Sequence, residues 1–242
     1  MLEYTFYALL LSVIALGPIL GFFIYKARFK TELWVIFIIG GVTWLLALIV
    51  RTPLLLAKSM FPWDLVYFAY AAILAGLFEE LFRYFFMKKW NKFRRSNAHI
   101  FSMGLGWGFF EAFIIYVLSI VLIAVLLDLG ISVHELPSYA SPFEFFMKNL
   151  TGAFERWIAT LLHVSLTFIV FQALKKKLYL YLAIVIHTIV DFMAVTIAYS
   201  TQNIVLTELA VTIFALIVAF YAFKVLPLPE QISEEFRPSI ST

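Results

Sequence analysis

Seven ionisable side chains lie within stretches of sequence that are otherwise almost wholly apolar. They are Glu79, Glu80, Arg83, Glu111, His163, His187 and Asp191. Carboxylates can activate water, imidazoles can take up or release a proton near neutral pH, and both can bind a metal ion. An ionisable group in hydrocarbon is costly unless it faces a polar interior and finds partners. The placement therefore predicts one polar cavity inside a membrane protein.

The strongest motif is Glu79-Glu80-Leu81-Phe82-Arg83. On a helix, residues three and four apart are neighbours, so Arg83 can pair with either Glu80 or Glu79. The arginine can then hold one carboxylate ionised while the other takes a proton from water, as a general base does. The simpler alternative is a salt bridge that only neutralises the helix, although that role needs no second glutamate.

The histidines add a second set of reactive groups. His187 and Asp191 are four residues apart, so on one helix face the acid can accept from a ring nitrogen, or both can bind a metal. His163 lies in another apolar stretch, and Glu111 follows a glycine-rich run, where it can orient a histidine or a water or make a structural hydrogen bond. All of these are acceptable zinc ligands, but no HExxH motif accompanies them. We therefore expect no metal and no cofactor, with zinc as the alternative.

The composition is that of a membrane protein. Of 242 residues, 64% are hydrophobic and 14% are charged, unlike ordinary soluble domains. Cysteine is absent, which excludes thiolate metal sites and cysteine nucleophiles. Seven apolar stretches are long enough to cross a bilayer as helices. They cover residues 4–25, 32–50, 64–87, 100–127, 151–174, 178–199 and 203–224. The sequence therefore predicts an all-α bundle of seven transmembrane helices.

Basic residues predict how this bundle is oriented. They follow the first, third and fifth stretches: Lys26, Arg28 and Lys30; Lys88, Lys89, Lys92, Arg94 and Arg95; and Lys175, Lys176 and Lys177. Cytoplasmic loops carry an excess of lysine and arginine, so we expect the N-terminus outside and the C-terminus in the cytoplasm. No linker separates two apolar cores, which predicts one domain over residues 1–226 and a polar tail over 227–242. We expect an integral protein of a prokaryotic cell membrane.

The polar residues are expected at a common depth. Counted from the predicted cytoplasmic ends, Glu79, Glu111, His163 and His187 lie roughly 8 to 11 residues into their helices, which is about 12–17 Å at 1.5 Å per residue. Groups from four helices at one level are typical of a reaction chamber or an ion path. We therefore expect a cavity that opens to the cytoplasm.

Three further features have a structural interpretation. Gly104 and Gly108 belong to a stripe of small residues that lets another helix, in this chain or in a partner, approach closely. Glu155-Arg156 lies near the outer end of the fifth helix, where we expect a separate salt bridge, too far away to join the site. His99 and His134 are assigned no role.

The motif set resembles that of a known superfamily. Glu79-Glu80-x-x-Arg83, the later His163 and His187-x-x-x-Asp191 look like the motifs of the CPBP intramembrane proteases, which include the type II CAAX-processing enzymes. The compact EExxR spacing, the glycine run ending in Glu111 and Glu155-Arg156 look most like the YhfC-like branch. The glycine run and His163 are also similar to the APH subunit of gamma-secretase, a scaffold that lacks the glutamate pair.

Residues and resemblance together lead us to expect an intramembrane endopeptidase. Glu79 or Glu80 would activate water, His163 would assist proton transfer, His187 would stabilise the oxyanion, and Asp191 would orient His187. The resemblance implies a membrane-protein or lipidated-peptide substrate, and no feature indicates nucleic acid. Two alternatives stay open: a scaffold or chaperone for a partner helix, and a proton or ion carrier.

Overall fold

The structure is a computed structural model that describes residues 2–90, 96–131 and 139–226. Four sets of residues that entered the expectations lie outside the described residues: Lys92, Arg94 and Arg95, His134, and the tail at 227–242. No expectation about them is tested by the structure.

The described residues form eight α-helices and no strand. The helices are α1 (Glu3–Ala27), α2 (Thr31–Leu55), α3 (Asp64–Lys89), α4 (Asn97–Glu111), α5 (Leu118–Asp128), α6 (Pro142–Gln172), α7 (Leu178–Thr201) and α8 (Ile204–Phe220). A π-helix, Ala112–Val117, joins α4 to α5 in a single rod. In the described part of the chain, seven such rods are long and apolar enough to cross a membrane, which confirms the predicted fold class.

Two helix ends differ from the expected ones. Helix α6 begins at Pro142 rather than near residue 151, because Ser141 caps it by accepting a hydrogen bond from the Glu144 backbone N–H at 3.1 Å. Proline in the first turn fits such a start. Helix α2 runs on to Leu55 instead of ending near residue 50, so Arg51 is part of a transmembrane helix and not of a loop.

The helices alternate in direction, which gives the bundle two distinct ends. The basic end carries the lysine-rich connections; there His99 at the start of α4 lies 3.3 Å from Glu32 at the start of α2. We call the opposite end the far end. There the Tyr199 hydroxyl of α7 donates to Asp64 of α3 at 3.3 Å.

Asp128 ties two helices together at the far end. Helix α1 has no side-chain cap of its own. Instead, the Asp128 carboxylate at the end of α5 accepts from the backbone N–H groups of Tyr4 and Thr5 at 3.1 and 2.8 Å, and from the Thr5 hydroxyl at 2.7 Å. The first N–H groups of a helix have no partner within it, so Asp128 acts as an N-cap supplied by another helix.

Glycines allow three helices to pack at backbone contact. A Cβ atom on Gly104 or Gly108 would lie 2.7 Å from the Cα of Val164 or Thr160 on α6. Gly106, between them, faces the backbone of Phe37 on α2. The small-residue stripe of α4 is therefore covered by α6 of the same chain, and this packing brings Glu111 and His163 together.

Candidate functional site

Helices α3, α4, α6 and α7 bring the seven sequence-predicted polar residues into one connected cluster. The glutamate pair and Arg83 come from α3, Glu111 from the end of α4, His163 from α6, and His187 and Asp191 from α7. Each of the seven side chains lies within 4.0 Å of another member. The cluster lies in the interior of the bundle.

Glu80 and Arg83 form the buried centre of the cluster. The Arg83 Nη1 group donates to both carboxylate oxygens of Glu80, at 2.7 and 2.5 Å, and both side chains are fully buried. The Nδ1 atom of His187 lies 2.7 Å from Glu80 Oε1. Both oxygens of Glu80 are therefore occupied by neighbouring side chains.

Glu79 points to a different set of partners, as expected for adjacent residues that lie 100° apart on a helix. Its Oε1 atom forms an ion pair with Arg51 Nη1 at 2.7 Å. Its Oε2 atom accepts a hydrogen bond from the indole N–H of Trp107 at 3.0 Å. The Nε2 atom of His187 is 3.9 Å from the same oxygen, which is too far for a direct hydrogen bond. Glu79 thus has one oxygen anchored by Arg51 and one that faces His187.

His163 connects Arg83 to Glu111. Its Nδ1 atom lies 3.2 Å from Arg83 Nη2, and its Nε2 atom lies 2.7 Å from Glu111 Oε2. The Arg83 guanidinium also stacks 4.1 Å from the ring centre of Trp107, a cation–π contact. The rings of His163 and His187 face each other at 5.5 Å between their centres.

Asp191 lies one helical turn beyond His187. Its Oδ2 atom is 3.6 Å from His187 Nε2, and its side chain is 38% exposed. The spacing of four residues therefore places both groups on one face, as the sequence predicted. The remaining described histidine, His99, lies at the basic end and takes no part in the cluster.

The expectation that Glu155-Arg156 is separate from the site is wrong. Arg156 does pair with Glu155, but its Nη1 atom also lies 3.6 Å from Glu111 Oε1. The two helices α4 and α6 run in opposite directions and cross at Gly108 and Thr160, so the end of α4 meets α6 at the level of Arg156. Depth counted from helix ends missed this contact because α6 begins well before the predicted start.

Two residues of the cluster were missed by the sequence analysis. Arg51 follows the predicted end of the second apolar stretch at residue 50, although the apolar residues on both sides of it could have indicated a helix that continues. Trp107 lies within the glycine run that was interpreted as a packing surface. A buried tryptophan N–H needs a hydrogen-bond acceptor, so a tryptophan in this apolar run could have indicated a polar partner. That acceptor is Glu79.

The sequence also matches a known protein family. A model of the YhfC intramembrane metalloprotease family matches residues 12–211, which include the whole cluster. The chain belongs to this family. A comparison with curated proteins finds no match. Membership of the YhfC family supports a membrane protease, while the wider resemblances to CAAX-processing enzymes and to APH rest on the sequence motifs.

The metalloprotease description of the YhfC family raises the question whether these residues suit a metal. Ligand atoms of Glu79, Glu111 and His163 lie within 4.8 Å of one another, and carboxylate oxygens and imidazole nitrogens are ligands that zinc accepts. The balance of charged side chains around the site also bears on a metal. The four carboxylates of the cluster, together with Glu155 beside it, face three arginines in the described part of the chain: Glu79, Glu80, Glu111, Glu155 and Asp191 against Arg51, Arg83 and Arg156. Two negative charges are then left, which either a divalent cation or protonation of the two histidines would neutralise. The residues therefore fit a metal in kind and in charge.

Proposed function

We propose that this YhfC-family chain is an intramembrane endopeptidase in which Glu79 activates a water molecule for attack on a peptide carbonyl. The observation that carries the proposal is the different surroundings of the two adjacent glutamates. Glu80 is fully buried and its oxygens are held by Arg83 and His187, whereas the Glu79 Oε2 atom accepts only the Trp107 N–H among the described residues and lies 3.9 Å from His187 Nε2 across a gap. A general base must reach a water proton, and of the two glutamates it is Glu79 whose oxygen borders this gap.

Donor and acceptor chemistry assigns a proton to each histidine. Arginine can only donate, so Nδ1 of His163 accepts from Arg83 and the ring proton resides on Nε2, from where it is donated to Glu111. A carboxylate can only accept, so Nδ1 of His187 donates to Glu80. The Nε2 lone pair of a neutral His187 then faces the gap beside Glu79. The two histidines are therefore held in opposite tautomers.

These tautomers favour roles that are the reverse of those expected from the sequence. His163, with a proton on Nε2, would be the donor that stabilises an oxyanion or protonates the leaving amine. His187, with its Nε2 lone pair, would accept a proton together with Glu79. Asp191 would hold the water from the other side of the gap.

The gap itself is lined by acceptors. His187 Nε2 lies 3.9 Å from Glu79 Oε2 and 3.6 Å from Asp191 Oδ2, and none of these atoms can donate to another when the imidazole is neutral. Facing acceptors are unfavourable unless a donor or a cation lies between them. A water molecule, with two protons to give, suits this place, and so does a metal ion.

If a divalent ion is bound, Glu79, His187 and Asp191 would hold it. His163 belongs to the set with Glu79 and Glu111 whose ligand atoms lie within 4.8 Å of one another, but the proton on its Nε2 prevents ligation from that side. His187 is suited to the task, because metal-binding histidines commonly donate their other N–H to a carboxylate, as His187 does to Glu80. A bound ion would polarise the carbonyl and promote ionisation of the attacking water.

The proposed substrate is a membrane-protein segment or a lipidated peptide that enters from the bilayer. A peptidase site inside a transmembrane bundle would act on segments that reach it within the membrane. Ionisable residues are rare in transmembrane helices and usually mark a functional site. The scaffold alternative has lost the surface on which it was based, because α6 of the same chain covers the glycine stripe of α4.

The test is proteolysis by the full chain in proteoliposomes. Single-span peptides, with and without a lipid group, are reconstituted with wild type, with Glu79→Gln or with His187→Gln, and new chain ends are identified by mass spectrometry. We expect fragments with wild type alone, and a chelator such as phenanthroline should abolish them if an ion is required. Fragments of equal yield from Glu79→Gln would contradict the proposal.

A further inference from the structure

Exposure within the cluster changes along α7 in one direction. Ala183, His187 and Asp191 follow each other at intervals of four residues, so they lie on one helix face. Ala183 is fully buried, His187 is almost so, and the Asp191 side chain is 38% exposed. Helix α7 begins at the basic end, so exposure increases towards the far end.

The other helices show the same trend. On α6, which runs from the far end to the basic end, the Arg156 side chain is 15% exposed and His163 only 3%. On α4, which runs the opposite way, Gly104 and Gly108 are buried, whereas the Glu111 side chain at the end of the helix is 19% exposed. On all three helices, whichever way they run, the more exposed polar side chain lies nearer the far end.

The basic end of the cluster is closed by apolar packing. Met87 of α3, Ile100 and Met103 of α4, and Leu166 and Ile169 of α6 are all fully buried. These side chains lie between the polar cluster and the lysine-rich connections. Protein interiors are packed about as densely as organic crystals, so these side chains separate the cluster from the basic end.

A π-helix lies where the exposure of the fourth span increases. It begins directly after Glu111, and beyond it α5 packs on α1, where Ile120 and Ala124 share an apolar cluster with Ala8 and Leu11. The π-helix still contacts α6, where the Tyr116 hydroxyl donates to the Asn149 carbonyl at 2.7 Å, and beyond it α5 packs mainly on α1. Helical irregularities of this kind often occur at functional sites. The space next to Glu111 and Arg156 is left less covered than the level below it.

From these observations we propose that the site is entered from the far end, opposite the lysine-rich connections. This is the reverse of the cytoplasmic opening expected from the sequence. Under the positive-inside rule the far end is the outer face. If the chain is the peptidase proposed above, its substrates are therefore peptide segments that lie in the outer leaflet or outside the membrane.

The cysteine-free chain allows a direct test by labelling along α7. Four single variants are reconstituted as the full chain in sealed vesicles: Lys177→Cys and Thr201→Cys mark the two ends of the helix, and Ala183→Cys and Asp191→Cys lie one turn on either side of His187. A membrane-impermeant maleimide is applied from outside or inside. We expect Asp191→Cys to react from the side that labels Thr201→Cys, at least tenfold faster than Ala183→Cys from either side.

Several outcomes would overturn the proposal. Reaction of Asp191→Cys from the side of Lys177→Cys, reaction only with a lipid-soluble maleimide, or faster reaction of Ala183→Cys would each show that the opening lies elsewhere. External labelling of Lys177→Cys in intact cells would show that the far end faces the cytoplasm. None of these readouts requires proteolysis, so failure of the proposed activity and failure of the proposed opening are distinguished.

Discussion

Exchange of Glu79 for glutamine should mainly lower the rate of cleavage, whereas exchange of Glu80 for glutamine should mainly lower stability. Glu79→Gln removes the proposed base, and because the side chain of its ion-pair partner Arg51 is 13% exposed whereas Arg83 is fully buried, we expect a smaller loss of stability than from Glu80→Gln. The rate should fall by about 10²-fold or more, because general-base help usually contributes 10²–10⁴-fold. Glu80→Gln leaves the fully buried Arg83 without a counter-charge, and breaking a buried pair in this way costs about 3–5 kcal/mol.

The assay separates chemistry from folding. Unfolding of each variant in detergent is followed by thermal denaturation, and peptide cleavage is measured per folded molecule. Glu3→Gln, an exposed change of the same charge, is the matched control and should leave both quantities unchanged. The reasoning is refuted if Glu80→Gln loses as much rate as Glu79→Gln while unfolding like wild type, or if Glu79→Gln cleaves at the wild-type rate.

Three further predictions concern the histidines and the packing of the bundle. In the ¹⁵N NMR spectrum of histidine-labelled protein, assigned with His163→Gln and His187→Gln, the ring proton should be on Nε2 of His163 and on Nδ1 of His187; the same tautomer at both would contradict the proposed roles. Asp128→Ala should lower the free energy of unfolding by about 0.5–2 kcal/mol, the usual cost of losing an N-cap, and an unchanged denaturation curve would exclude that function. Gly108→Leu should prevent assembly of a folded bundle, as judged by gel filtration, whereas Gly21→Leu, which meets no atom within 4 Å, should be tolerated.

Part of the site was predictable because helix geometry is local. The contacts of Arg83 with Glu80 and of His187 with Asp191 follow from spacings of three and four residues alone. The sequence could not decide between the two glutamates, because both lie within reach of Arg83 on the same helix. That choice depended on which side of α3 meets α7, where His187 binds Glu80 and leaves Glu79 to Arg51.

Contacts between helices required the tertiary structure. Arg51 and Arg156 interrupt apolar sequence, but nothing in their neighbours along the chain identifies Glu79 and Glu111 as their partners. Those pairs depend on where α2 ends and where α6 begins, which are the least certain features of a sequence-based prediction. The glycine stripe was recognised as a packing surface, yet only the structure identified α6 as the helix that covers it.

The sequence by itself determined that this protein is a seven-span helical membrane protein with reactive groups inside, because a bilayer demands long apolar helices and makes each buried charge conspicuous. The tertiary structure decided which groups touch and from which end they are exposed. Depth along a helix follows from counting residues, whereas exposure depends on neighbours distant in the chain. At Glu111 it depends on the π-helix that follows and on the turn of α5 towards α1.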